Sequence, residues 1–165
     1  MMTRRLDSLC NVLRVLLGIL MGVLIIPVAM QVIARYTGII PVYLWTEELA
    51  TFIFVWIVMI GSMVAVWDGT HFDVRVIPDS SRPFLLFIQK AIVLVLVGGF
   101  GLLFAWYGID YAKFGMQQHS VMMNANYLWT HITIPLAGLL WGVFALCRLA
   151  DAFQEYRMTK QEAAQ

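Results

Sequence analysis

The chain has 165 residues, 61% of them hydrophobic and only 13% charged, with a formal net charge of +1. A soluble domain is nearer a quarter charged, so this composition excludes a water-covered globule, and the near-neutral balance gives no reason to expect a nucleic-acid partner. The length suits one compact membrane domain over 1–165 and leaves no room for a separate soluble one.

The start, Met1-Met2-Thr3-Arg4-Arg5, carries the charge of a signal peptide's leading region. The apolar run that follows, Val12 to Ala34, is too long for such a peptide and reads as a retained membrane helix. It is interrupted only by Arg14 and Gln31. A second run, Leu49 to Trp67, holds no charge, and its helix is expected over 47–67. The third covers Phe84 to Ile109, with Gln89 and Lys90 in its first turns. The fourth covers Tyr127 to Leu149, with His131 near its start and Arg148 near its end. Crossing a bilayer takes about 20 apolar residues. Continuous rather than alternating apolar runs indicate helices, which satisfy their own backbones in lipid. The fold expected is all-α and integral to the membrane, with four transmembrane helices over 12–34, 47–67, 84–109 and 127–149. Residues 150–165 read as a short, frayed cytoplasmic tail.

Basic residues set the orientation. Arg4, Arg5, Arg14, Arg75, Arg82, Lys90, Arg148, Arg157 and Lys160 lie at one end of the spans, and only Arg35 and Lys113 at the other, which accounts for all eleven. The positive-inside rule places both termini and the middle connection in the cytoplasm. The 35–48 and 110–126 connections then face outward, into the periplasm of a bacterial cell. Within the cytoplasmic connection, Arg75 and Arg82 can meet anionic headgroups. His71 has no companion at ligand spacing and reads as a surface or capping residue.

Small residues recur every fourth position at Gly18/Gly22, Gly61/Ala65/Gly69, Gly101/Ala105 and Gly138/Gly142. Such spacing lets helix backbones approach closely in lipid. It serves packing within the bundle, contact with a partner, or both. One side of the second helix carries Trp45, Leu49, Phe52, Trp56, Ile60, Met63 and Trp67. From this stripe and the small residues, Phe52, Trp56, Gly61, Met63 and Ala65 are expected at a partner-helix interface. Tyr36, Trp45, Trp67 and Trp129 sit where aromatic anchors meet the membrane surface. Pro27 and Pro135 are expected to kink their helices, and Asn124 or Asn126 to cap the fourth.

An ionisable group deep in a bilayer is costly and marks function. None stands at mid-span here, and the three histidines and two cysteines are peripheral and unpaired by spacing. No catalytic residue, metal site, substrate site or cofactor is expected in this chain. The polar chemistry that remains is Arg35 with Glu47 and Glu48. Acids at a helix start complement its dipole. A functional reading pairs Arg35 with one glutamate across the Gly38–Pro41 turn and leaves the other as an outward docking edge.

The blocks Arg35-Tyr36, Trp45-x-Glu47-Glu48-Leu49, Phe52-x-Phe54-Val55-Trp56 and Gly69-x-His71-Phe72-x-Val74, followed by Tyr127-x-Trp129 and Ile134-Pro135-Leu136-x-Gly138, resemble the small (DctQ-like) membrane subunit of TRAP transporters, the tripartite ATP-independent periplasmic transporters. Two departures are local: Arg75 follows Val74 where the family often has an acid, and Asn124-Ala125-Asn126 precedes the fourth helix where it often has a proline. The resemblance implies a non-catalytic scaffold in the bacterial inner membrane. Its partners would be a large membrane subunit, which carries the sodium and the substrate, and a periplasmic binding protein that delivers an organic acid. The competing expectation from the residues alone is a self-assembling four-helix transporter or channel.

Overall fold

The computed structural model describes residues 2–38, 41, 43–69 and 83–162. His71, Arg75 and Arg82 lie outside the described residues. The elements are α1 (Met2–Thr37), α2 (Leu44–Asp68), α3 (Pro83–Met116), a single turn α4 (Leu128–His131) and α5 (Thr133–Glu162). Four of them are long and apolar enough to cross a membrane. Among the described residues there is no strand, only an isolated antiparallel bridge between His119 and Asn126.

Local chemistry explains the ends. Pro83 opens α3 at a position where the missing N–H costs nothing. Gly69 ends α2 in the left-handed region, at φ 74°, and returns its N–H to the carbonyl of Ala65 at 3.0 Å. That conformation favours glycine. The N-cap of α4 is Tyr127, which makes no side-chain cap bond; Asn126, one residue earlier, accepts the N–H of Leu128 on its Oδ1 at 2.7 Å. The fourth apolar run does not simply kink at Pro135. It breaks into α4 and α5 at Ile132, because Pro135 offers no N–H to the carbonyl of His131. The Thr133 hydroxyl donates to the carbonyl of Thr130 at 2.6 Å and bridges the break. Pro27, by contrast, lies within one continuous helix.

The helices stand in a row rather than a closed ring: α1 packs on α2, α2 on α5, and α5 on α3. Side chains from all four still meet in one core, formed by Cys10, Met63, Val66, Val97, Ala137, Phe144 and Ala145. Both cysteines are free thiols.

The tightest pairing is α3 with α5. Cβ atoms added to Gly101 and Gly138 would stand 2.8 Å from the Gly138 carbonyl oxygen and 2.5 Å from the Ala105 nitrogen, respectively. At the same interface Gly108 faces Pro135, and Gly115 faces the His131 ring. Near the other end Phe87 meets Phe153 and Tyr156, and Lys90 bonds Glu155 at 3.0 Å. The segment expected to fray is therefore helical to Glu162 and packed along the start of α3.

Candidate functional site

Two polar clusters hold the row together, one at each end. The first lies at the hairpin end, beside the α1–α2 turn and the 117–127 connection. Glu48, one turn into α2, projects its carboxylate toward that connection. It accepts from the Ser120 hydroxyl, from the N–H of Met123 at 3.0 Å and from the N–H of Met122 at 3.2 Å. Ser120 Oγ in turn accepts from the N–H of Met123 at 3.2 Å. Backbone bonds from Ser120 N to Ala125 O (2.8 Å) and from Tyr127 N to Gln118 O (3.1 Å) close the connection into a compact hairpin. Asn124, at φ 52°, makes its turn. Asn is among the residues that best tolerate this conformation.

Aromatic rings extend this cluster inward. Phe52 stacks on Tyr127 with centroids 5.6 Å apart, and His131 stacks on Tyr111 at 4.1 Å. Trp56 Nε1 donates to the carbonyl of Trp129 at 3.0 Å. Thr46, only 2% exposed, turns its hydroxyl back to the Tyr43 carbonyl at 2.7 Å.

The second cluster lies at the end that carries both termini. Arg148 of α5 donates from Nη1 to the carbonyls of Val66 and Trp67, each at 3.2 Å. These are among the last carbonyls of α2, which lack helical partners and carry the negative end of its dipole. A Cβ on Gly69 would meet the Arg148 guanidinium, whose flexible end would have to shift, while the left-handed φ is what favours glycine there. Asp68 pairs with Arg14, which also donates to Asn11 Oδ1 at 2.7 Å. Trp67 Nε1 donates to Asp7 at 3.1 Å. Asp7, Arg14, Asp68 and Arg148 thus tie α1, α2 and α5 at one level.

Among the described residues no salt bridge joins Arg35 to Glu47 or Glu48. Arg35 sits exposed in the last turn of α1, where a cation complements the dipole. Glu47 is exposed in the first turn of α2, and Glu48 is engaged by the 120–123 backbone. Neighbouring helix positions point about 100° apart, and it is Glu48 that turns toward the protein. Within the chain, the residues expected at a partner-helix interface make contacts of their own. Phe52 and Trp56 make the internal contacts above, and Met63 is 3% exposed in the core. Gly61 lies against Leu17, and Ala65 accepts the Gly69 cap. Phe52 thus meets the 117–127 connection, Trp56 meets α4 and Gly61 meets α1. Tyr36, Trp45 and Trp129 are exposed near span ends, where membrane anchors belong. Trp67 is instead half-buried against Phe144.

The Ser120–Glu48 and Arg148–Gly69 contacts have no signal in local spacing, because the partners are tens of residues apart in sequence. The α2 terminus is the exception: an Asp-Gly pair closing an apolar run is a helix-stop signal.

No charged residue occurs within 15–34, 49–67, 91–109 or 132–147, and among the described residues no cluster of three His, Cys, Asp or Glu side chains could hold a metal. A row of four helices long and apolar enough to cross a membrane, latched at both ends and uncharged between, defines a multi-pass membrane protein. The chain belongs to the DctQ component family of the tripartite ATP-independent periplasmic transporters, whose model matches residues 24–155. It is thus the small component of a TRAP transporter system. A comparison with curated proteins returned no match.

Proposed function

We propose that this subunit is the non-catalytic scaffold of a sodium-coupled importer of an organic acid. It works with a large membrane subunit that carries sodium and substrate, and with a soluble periplasmic binding protein. Both termini lie in the cytoplasm and the Glu48 clasp faces the periplasm of a bacterial inner membrane. The observation that carries this reading is the division of polar chemistry: every charge lies near a span end, and the middle of each span is uncharged. Ion and carboxylate passage needs polar groups at depth, so transport belongs to the partner. What this chain supplies is rigidity, from the Glu48 clasp, the Arg148 cap and the close α3–α5 packing.

The test is purification of the full chain from native membranes, followed by reconstitution. A larger hydrophobic protein should co-purify. Sodium-driven uptake of an organic acid into liposomes should require that protein and the soluble receptor as well as this chain. Uptake by this chain alone would replace the scaffold reading with the self-assembling transporter.

A further inference from the structure

Three consecutive carbonyls leave the helical ladder where the fourth apolar run passes from α4 to α5. The ladder of α4 ends with the N–H of Ile132 on the carbonyl of Leu128 at 2.9 Å, and that of α5 starts with the N–H of Leu136 on the carbonyl of Ile132 at 3.3 Å. In an unbroken helix the carbonyls between, those of Trp129, Thr130 and His131, would accept from the residues four positions on, Thr133, Ile134 and Pro135. Proline has no N–H, which accounts for His131. Thr133 and Ile134 do have one. The carbonyls of Trp129 and Thr130 nevertheless take side-chain donors: Trp129 the indole Nε1 of Trp56 at 3.0 Å, and Thr130 the hydroxyl of Thr133 at 2.6 Å.

The open arrangement is locally unfavourable. Thr130 Oγ1 and His131 Nδ1 are buried with no hydrogen-bond partner among the described residues, and a polar atom held that way costs stability. The backbone is also close to helical already. Ile132 has φ −65° and ψ −20°, within the right-handed region, so the ladder can re-form by small adjustments of dihedral angle. What offsets the local cost comes from other elements. Glu48, Phe52 and Trp56 stand four residues apart on one face of α2. They hold in turn the 120–123 turn, the Tyr127 ring and the Trp129 carbonyl. On the far side the His131 ring lies on Tyr111 of α3.

We infer that the α4–α5 junction is a latched joint with two arrangements. With the Trp56 indole on Trp129 and the Thr133 hydroxyl on Thr130 the joint is open, and α4 is carried by α2 rather than by α5. With those donors withdrawn, the carbonyls of Trp129 and Thr130 take the N–H groups of Thr133 and Ile134. The fourth run then becomes one helix that Pro135 only kinks. Trp56 is the positioning residue of this latch, reaching across from α2 to decide which arrangement the fourth run adopts. The inference rests on the fold and stands independently of the transporter assignment.

Hydrogen exchange on the full chain tests it. Trp56→Phe keeps an aromatic ring against α4 and removes the indole N–H. The protein, with any co-purifying subunit, is placed in lipid nanodiscs. Backbone exchange is then read residue by residue, by mass spectrometry with electron-transfer fragmentation. Exchange at Thr133 should slow by about fivefold in Trp56→Phe, the change that one hydrogen bond inside a membrane protein brings. The sign separates a latch from an ordinary contact. Loss of a merely structural bond speeds exchange or leaves it unchanged, and only a change of partner slows it. Unchanged or faster exchange at Thr133 therefore overturns the proposal. Thr133→Val removes the second pin with a side chain of nearly the same shape, and should slow exchange at Ile134. This variant carries the test if Trp56→Phe folds poorly, and unchanged or faster exchange at Ile134 overturns the proposal in the same way.

Discussion

Glu48 shows how one carboxylate fixes a connection more than seventy residues away. Its two oxygens take the Ser120 hydroxyl and the backbone N–H groups of Met122 and Met123. Glu48→Ala should therefore release the turn, read as faster amide exchange at Met122 and Met123, while helical amides of α2 stay protected. Glu48→Gln keeps an acceptor oxygen without the charge and should retain about half of the restraint, since charge-assisted bonds are about twice as strong as neutral ones. Unchanged exchange in Glu48→Ala would remove the clasp from the account. At the other end, Gly69→Ala combines a left-handed φ with a collision against Arg148 and should cost about 1–3 kcal/mol from the backbone alone, measured by thermal unfolding in detergent. Because Arg148→Ala clears the collision, the double variant should lose less than the sum of the singles. In the residue order Glu47 and Glu48 are conspicuous, but nothing there says which way either turns. An Arg35 partner across the adjoining turn is the expectation, whereas the observed partners of Glu48 lie in the 120–123 turn.

Among the elements, the four spans are legible in the residue order because lipid demands unbroken apolar runs. Their full lengths are not. Phe87, Phe153 and Tyr156 extend the α3–α5 pairing beyond the apolar runs, through contacts between residues far apart in sequence. Small-residue spacing is equally visible in all helices and sorts only in the structure. Gly101 and Gly138 touch backbone across α3–α5, while nothing lies within 4 Å of a Cβ at Gly18 or Gly22. Gly138→Val should accordingly separate α3 from α5 and abolish a monodisperse elution profile. Gly18→Ala and Gly22→Ala should leave the thermal stability of the chain within about 0.5 kcal/mol. If these two variants lower recovery of the large subunit in the same pull-down, the α1 face is where that partner packs.

For the molecule as a whole, the proposed orientation rests on the nine-to-two distribution of basic residues in the sequence. A cysteine at the exposed Gln154 should react in intact spheroplasts only with a membrane-permeant maleimide, and one at the exposed Val121 with an impermeant one as well. The reverse pattern would invert the assignment of the two ends. The class of fold, its four spans and its family are legible in the amino-acid sequence alone. The arrangement as a row is not, because nothing in the order of the spans reveals that the last one packs between the second and the third.

That interleaving has a consequence for biosynthesis. When the first three spans have left the ribosome, α1 and α2 can pair, but α3 has almost nothing to pack on, since it touches α2 hardly at all. Its Gly101–Ala105 groove must wait, open to lipid, for the final helix. The last span is thus a keystone: until it enters, the nascent chain is two unconnected pieces in one membrane, and its arrival completes both halves at once.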